Sequence, residues 1–131
     1  MKRVDLSEIV GVHCGKNSFI KCDEFVHEGK FFIGDNVEVC SKKVYLGNNA
    51  RIEDGTKIHA INGEMYSFFM GDESVIGFNS QVMVPQFAIG DCTKIFSSSL
   101  CSGYKPLALG HNCWVGQSSI LNSAEALTIG N

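Results

Sequence analysis

Aliphatic residues recur along this chain about every six positions, and a small residue follows each of them four positions later. This pattern predicts short strands joined by tight corners, with one aliphatic side chain of each strand pointing inward and the small residue fitting the crowded corner. No stretch keeps the apolar stripe of an amphipathic helix for three turns. The aliphatic and small residues pair as Ile33/Val37, Leu46/Ala50, Ile52/Thr56, Met70/Ser74, Ile76/Ser80, Ile89/Thr93, Ile95/Ser99, Leu109/Cys113 and Val115/Ser119.

The six-residue units group in threes, which predicts triangular coils. The coils start at residues 14, 33, 52, 76, 95 and 115, and these starts are 19, 19, 24, 19 and 20 residues apart. Because one coil cannot bury its own interior, we expect six coils to stack about 4.8 Å apart, as strands do in a parallel sheet. The other two inward columns are expected to be Ile20, Val39, Ile58, Val82, Cys101 and Leu121, and Val26, Leu46, Met70, Ile89, Leu109 and Ile129.

One interval breaks the period. The step from Ile58 to Met70 is twelve, so residues 60–69 are expected to leave the coil as a loop. This loop carries Met65, Tyr66, Phe68 and Phe69. It would either fold over a neighbouring face or a subunit interface, or form the wall of a substrate pocket.

Composition limits the classes of function. The 131 residues suit a single domain, 1–131, with 44% apolar and 19% charged residues and a net charge of −3. No basic cluster exceeds Lys42–Lys43, so no nucleic-acid partner is expected, and no apolar run is long enough to span a membrane. Six cysteines without a CxxC pair, and no signal peptide, predict reduced thiols in a cytoplasmic protein and no metal site.

The repeat over residues 14–131 resembles the hexapeptide repeat of the left-handed parallel β-helix superfamily. The resemblance implies the left-handed sense and a homotrimer with active sites between subunits. It leaves function open, because this fold hosts acyltransferases, γ-class carbonic anhydrases and catalytically silent members. The chain stops two residues into a new unit, at Ile129-Gly130-Asn131, so we expect it to be truncated at the C-terminus.

The segment Leu109-Gly110-His111-Asn112-Cys113-Trp114-Val115-Gly116 resembles the one that carries the catalytic histidine in acyltransferases of lipid A synthesis and in sugar N-acetyltransferases. The resemblance implies that His111 is the general base. Stacking puts Asp91 one coil earlier and Asn131 one coil later at the same corner, so Asp91 could orient the imidazole. We take His111, Asp91 and Asn112 as candidate catalytic residues. The alternative is that these polar residues only suit the turns.

A second resemblance favours that alternative. Tyr104-Lys105-Pro106-Leu107 and the segment after it are similar to the sugar O-acetyltransferases, whose catalytic histidine lies one coil upstream. The corresponding coil, residues 95–101, has no histidine. A chain of that branch would be an inactive trimeric scaffold, or would carry its base on a missing C-terminal part.

The cofactor implied by the acyltransferase resemblance is acetyl-CoA or another acyl-CoA, with a sugar or small metabolite as acceptor. Trp114, Gly116, Ser118 and Ser119 are the candidate contacts for its pantetheine arm. His59 resembles the first zinc ligand of γ-class carbonic anhydrases, but Phe78 and Met83 occupy the other two ligand positions, so that activity is not expected. His13 and His27 are expected to lie on the surface.

Overall fold

The computed structural model describes residues 1–9 and 11–130, and within them the fold is all-β apart from one 3₁₀ helix, Leu6–Glu8. In chain order the strands are β1 (Lys2–Arg3), β2 (His13–Cys14), β3 (Phe19–Cys22), β4 (Glu24–His27), β5 (Phe31–Ile33), β6 (Glu38–Cys40), β7 (Lys43–Leu46), β8 (Ala50–Ile52), β9 (Lys57–His59), β10 (Ser67–Met70), β11 (Val75–Ile76), β12 (Gln81–Met83), β13 (Gln86–Ile89), β14 (Lys94–Ile95), β15 (Leu100–Gly103), β16 (Leu107–Leu109), β17 (Trp114–Val115), β18 (Ile120–Ser123) and β19 (Leu127–Ile129).

Three parallel sheets form the walls of a solenoid. Sheet 1 has the order β2-β5-β8-β11-β14-β17, sheet 2 the order β3-β6-β9-β12-β15-β18, and sheet 3 the order β4-β7-β10-β13-β16-β19. Each coil runs from sheet 1 to sheet 2 at a first corner, to sheet 3 at a second corner, and into the next coil at a third corner. β1 adds an antiparallel strand to the start of sheet 2.

The strand register confirms the predicted coils. Cys14, Ile33, Ile52, Ile76, Ile95 and Val115 align as one column of sheet 1. The architecture is therefore a parallel β-solenoid of about six coils, consistent with the left-handed β-helix and with the hexapeptide-repeat superfamily that the sequence resembles. No helix among residues 1–9 and 11–130 is long and apolar enough to cross a membrane.

The core runs along the inside of the solenoid and is filled by inward side chains from all three sheets. Ile33, Val39 and Leu46 are each fully buried, and burial of one such side chain stabilises the fold by about 1.5–3 kcal/mol. Most of the small residues that follow the aliphatic ones are also buried, namely Val37, Ala50, Thr56, Ser74, Ser80, Thr93 and Ser99. Hydroxyls among them donate hydrogen bonds to main-chain carbonyl oxygens at the corner of the next coil. Thr56 Oγ1 donates to the Gly77 carbonyl oxygen at 2.8 Å, and Ser99 Oγ donates to that of Gly116 at 3.2 Å.

The prediction for the third column was wrong in the first coil. His27, and not Val26, aligns with Leu46, and Val26 faces outward with 44% of its surface exposed. Hydrophobicity alone selected Val26, but the end of the stack accepts a half-buried imidazole, which shares a hydrogen bond of 2.9 Å between its Nδ1 and the Gly29 carbonyl oxygen. His27 is therefore not a free surface residue, whereas His13 is exposed.

The loop leaves the coil where predicted but is shorter than residues 60–69. Ser67–Met70 form β10, in which Phe68 is buried in line with Val44, and Phe69 faces outward. The alternation of inward and outward side chains places this stretch in the sheet. The remaining loop is held at its end, because the Lys42 amide donates to the Met65 carbonyl oxygen at 2.8 Å.

Candidate functional site

His111 lies at the third corner between β16 and β17, and its side chain is 59% exposed. The corner turns through Asn112, whose φ of 56° lies in the left-handed region that asparagine tolerates well. The Asn112 main-chain N–H donates to the Asp91 carbonyl oxygen at 2.9 Å. The structure thus brings the three candidate catalytic residues together, with Asn112 shaping the turn through its backbone.

Asp91 meets the imidazole in two ways. The main-chain N–H of Asp91 donates to Nδ1 of His111 at 2.7 Å, and one carboxylate oxygen, Oδ2, lies 3.8 Å from the same nitrogen. A nitrogen that accepts a hydrogen bond carries no proton, so this contact corresponds to the neutral ring with its proton on Nε2. Asn131, predicted one coil later, lies outside the described residues.

The same contact recurs down the corner. The Asn48 amide donates to Asp72 Oδ1, and the Asp72 amide to Asp91 Oδ1, each at 2.8 Å. Together with the His111 contact these bonds make a continuous column, here called the third-corner ladder, formed by Asn48, Asp72, Asp91 and His111. Sequence reasoning missed Asp72, although the polar third positions at residues 48, 72, 91 and 111 follow the coil spacing.

The four residues expected to contact coenzyme A all lie in the sixth coil. Trp114 stands on the outer face of sheet 1 with 71% of its surface exposed, and its ring lies 6.0 Å from that of Phe96. Gly116, Ser118 and Ser119 lie at the first corner, one short strand away from His111. The Ser119 hydroxyl already donates to the Gly116 carbonyl oxygen at 2.6 Å.

The remaining histidines do not form a metal site with their neighbours. His59 faces outward from β9, and Met83 is its partner in the register of the next coil. Within residues 1–9 and 11–130 no three His, Cys, Asp or Glu side chains group as metal ligands. His13 stacks on Phe32 at a ring separation of 4.5 Å, and the Arg51 guanidinium lies 4.0 Å from the centre of that Phe32 ring.

All six cysteines are free. Cys101 points into the core, and burial raises the pKa of its thiol to about 12. Since the thiolate is the reactive form, this residue acts as a small core side chain.

No family model matches the chain, and no curated protein matches it significantly. A serine acetyltransferase isoform 3 from Entamoeba histolytica, whose crystal structure was solved in complex with cysteine, is similar at 24% identity and a TM-score of 0.44. The similarity covers 81% of this chain and 35% of the other, so this chain spans about a third of that enzyme's length.

Proposed function

We propose that this chain is the β-helix of a CoA-dependent acyltransferase that acetylates, or otherwise acylates, a hydroxyl or amine of a sugar or small metabolite. The observation that carries the proposal is the exposed imidazole of His111, set at a corner with an aspartate carboxylate oxygen 3.8 Å from its Nδ1. An accessible imidazole with a carboxylate close to its Nδ1 suits general-base catalysis.

In this reaction His111 would take the proton from the acceptor hydroxyl or amine while the oxygen or nitrogen attacks the thioester carbonyl. The new C–O or C–N bond forms, the C–S bond breaks, and the proton passes to the departing CoA thiolate. Nε2 can take the proton only when the ring proton sits on Nδ1. Asp91 Oδ2, 3.8 Å from Nδ1, would accept a hydrogen bond from that Nδ1–H once the ring has released the Asp91 amide.

Trp114 and the first corner of the sixth coil are the proposed contacts of the pantetheine arm. The indole offers an exposed apolar wall, and Ser118 is exposed at the corner that follows β17. Because the Ser119 hydroxyl is used within its own corner, we assign the hydrogen bonding of the arm to Gly116 and Ser118 before Ser119.

We also propose that the protein works in the cytoplasm as a homotrimer with its active sites between subunits. Sheet 3 offers a suitable contact face, since Val26 and Phe69 are exposed there and Tyr45 stacks on Phe69 at 4.5 Å. These side chains border an open groove of about 260 Å³. A face of this kind is typical of protein interaction sites.

A second candidate function is a catalytically silent trimeric scaffold. The specific observation in its favour is that Nδ1 of His111 accepts a main-chain N–H from the preceding coil, as the carboxylates of Asp72 and Asp91 do earlier in the chain. On this alternative the imidazole is a hydrogen-bond acceptor of the corner and takes part in no reaction.

The test is release of CoA thiol from acetyl-CoA in the presence of a panel of sugar and amine acceptors. We compare the unmodified chain with His111→Asn, because asparagine can still accept the Asp91 N–H, as aspartate does lower in the ladder. We expect His111→Asn to remain folded and to lose about 10²- to 10⁴-fold in rate. Full activity in this variant would reject His111 as the base, and absence of turnover in the unmodified chain would favour the scaffold.

A further inference from the structure

The third-corner ladder directs a main-chain N–H at one ring nitrogen of His111. Asp91 Oδ1 accepts the Asp72 N–H at 2.8 Å, and Asp72 Oδ1 accepts the Asn48 N–H at the same distance. Each of these hydrogen bonds therefore links one coil to the next. The main-chain N–H of Asp91 is directed at the acceptor in the coil that follows. That acceptor is Nδ1 of His111, at 2.7 Å.

We infer that Asp91 is a positioning residue with two separate contacts, one for each tautomer of His111. Its main-chain N–H stabilises the ring with the proton on Nε2, which is the resting form. Its carboxylate oxygen Oδ2, at 3.8 Å, is the acceptor for the ring with the proton on Nδ1.

The two contacts exclude each other. A protonated Nδ1 cannot accept the Asp91 N–H, so the ring must release the amide before it donates to the carboxylate. Because Asp91 Oδ1 is already held by the Asp72 amide, Oδ2 is the oxygen that remains for the imidazole. In the resting form, Nε2–H on the exposed ring is a hydrogen-bond donor suited to a carbonyl or carboxylate oxygen of a ligand.

The consequence for catalysis rests on the proposed function. If His111 is the base of an acyl transfer, only the tautomer with the proton on Nδ1 can take a proton at Nε2, and the Asp91 carboxylate stabilises it. The tautomer of the resting protein can be measured whether or not the protein is an enzyme.

The experiment is ¹⁵N NMR of the histidine-labelled protein, in long-range nitrogen–proton correlations at a pH where the ring is neutral. His111→Asn identifies the signals of residue 111. We expect a pyridine-type Nδ1 and a pyrrole-type Nε2. The reverse assignment, with the proton mainly on Nδ1, would overturn the inference.

Asp91→Asn is the matched variant, because it keeps the main-chain N–H and an oxygen acceptor for the Asp72 amide but removes the charge. We expect the resting tautomer to stay unchanged while any acyl transfer slows by about 10- to 100-fold, the effect of losing a charged hydrogen-bond partner. A switch of the resting tautomer in Asp91→Asn would show that the carboxylate, and not the amide, sets it. If the unmodified chain has no turnover, the proposed function fails, and the NMR assignment still decides the inference.

Discussion

The two corners that flank sheet 1 fold alike but carry different side chains at their third positions. At the third corner, Asn48 donates its amide to Asp72, and the column continues through Asp91 to His111. At the first corner the column begins in the same way, with the amides of Lys16 and Asp35 bonded to Asp35 Oδ1 and Asp54 Oδ1, each at 2.8 Å. It is then interrupted by Phe78, whose ring is 45% exposed and cannot accept a comparable bond.

The difference shows which side chains at the third position the corner needs in order to fold. The amide of one corner finds an acceptor in aspartate, in asparagine, or in the hydroxyl of Ser97, which accepts the Phe78 N–H at 3.2 Å. The coil also forms around Phe78, whose side chain offers no such acceptor. An imidazole at position 111 is therefore compatible with the ladder but not required by it.

The largest expected effect comes from the glycine that precedes a ladder residue. A Cβ at Gly90 would lie 2.7 Å from the Gly110 carbonyl carbon and from His111 Nδ1. We therefore expect Gly90→Ala to lower the free energy of unfolding by about 3 kcal/mol, as measured by urea titration.

Gly116→Ala is the matched control, since it sits at the same position of the first corner in the sixth coil. The nearest contact of its Cβ would be Ser119 Oγ at 3.7 Å. We expect a change within about 0.5 kcal/mol. Equal destabilisation by the two variants would contradict the close approach of the coils at Gly90.

A smaller effect is expected from removal of the last acceptor of the ladder. His111→Ala leaves the Asp91 N–H without its partner at a largely exposed corner, so we expect a loss of about 1 kcal/mol in the free energy of unfolding. His111→Asn should restore most of this loss. If the alanine and asparagine variants were equally stable, the imidazole would not serve as the corner acceptor.

The sequence predicted the coils well because its period reflects a strict geometric demand. Because an aliphatic residue must point inward at the same position of every coil, only one register fits, and the six coil starts are correct, including the longer step after residue 52. The prediction erred where hydrophobicity was ambiguous. Val26 and His27 compete for one inward position at the end of the stack, and Phe68 and Phe69 are both apolar although only Phe68 is buried.

The contacts within the candidate site could be predicted less completely from the sequence. Stacking correctly paired Asp91 with His111, because both occupy the third position of successive corners. The sequence suggested the carboxylate as the contact, whereas the shorter contact comes from the main-chain N–H. Backbone donors carry no sequence signal, so the tautomer of the imidazole could be inferred only from the folded corner.

The smallest effect should come from repair of the interrupted corner. Phe78→Asn would supply a side-chain oxygen where Asp35 and Asp54 supply one in the lower coils, and it adds no further negative charge beside them. We expect the free energy of unfolding to exceed that of Phe78→Ala by about 0.5–1 kcal/mol, the usual contribution of one such bond. Phe78→Ala is the proper reference, because both variants lose the same half-exposed ring. Equal stability of the two would mean that a side-chain acceptor at position 78 contributes nothing to the stability of the first corner.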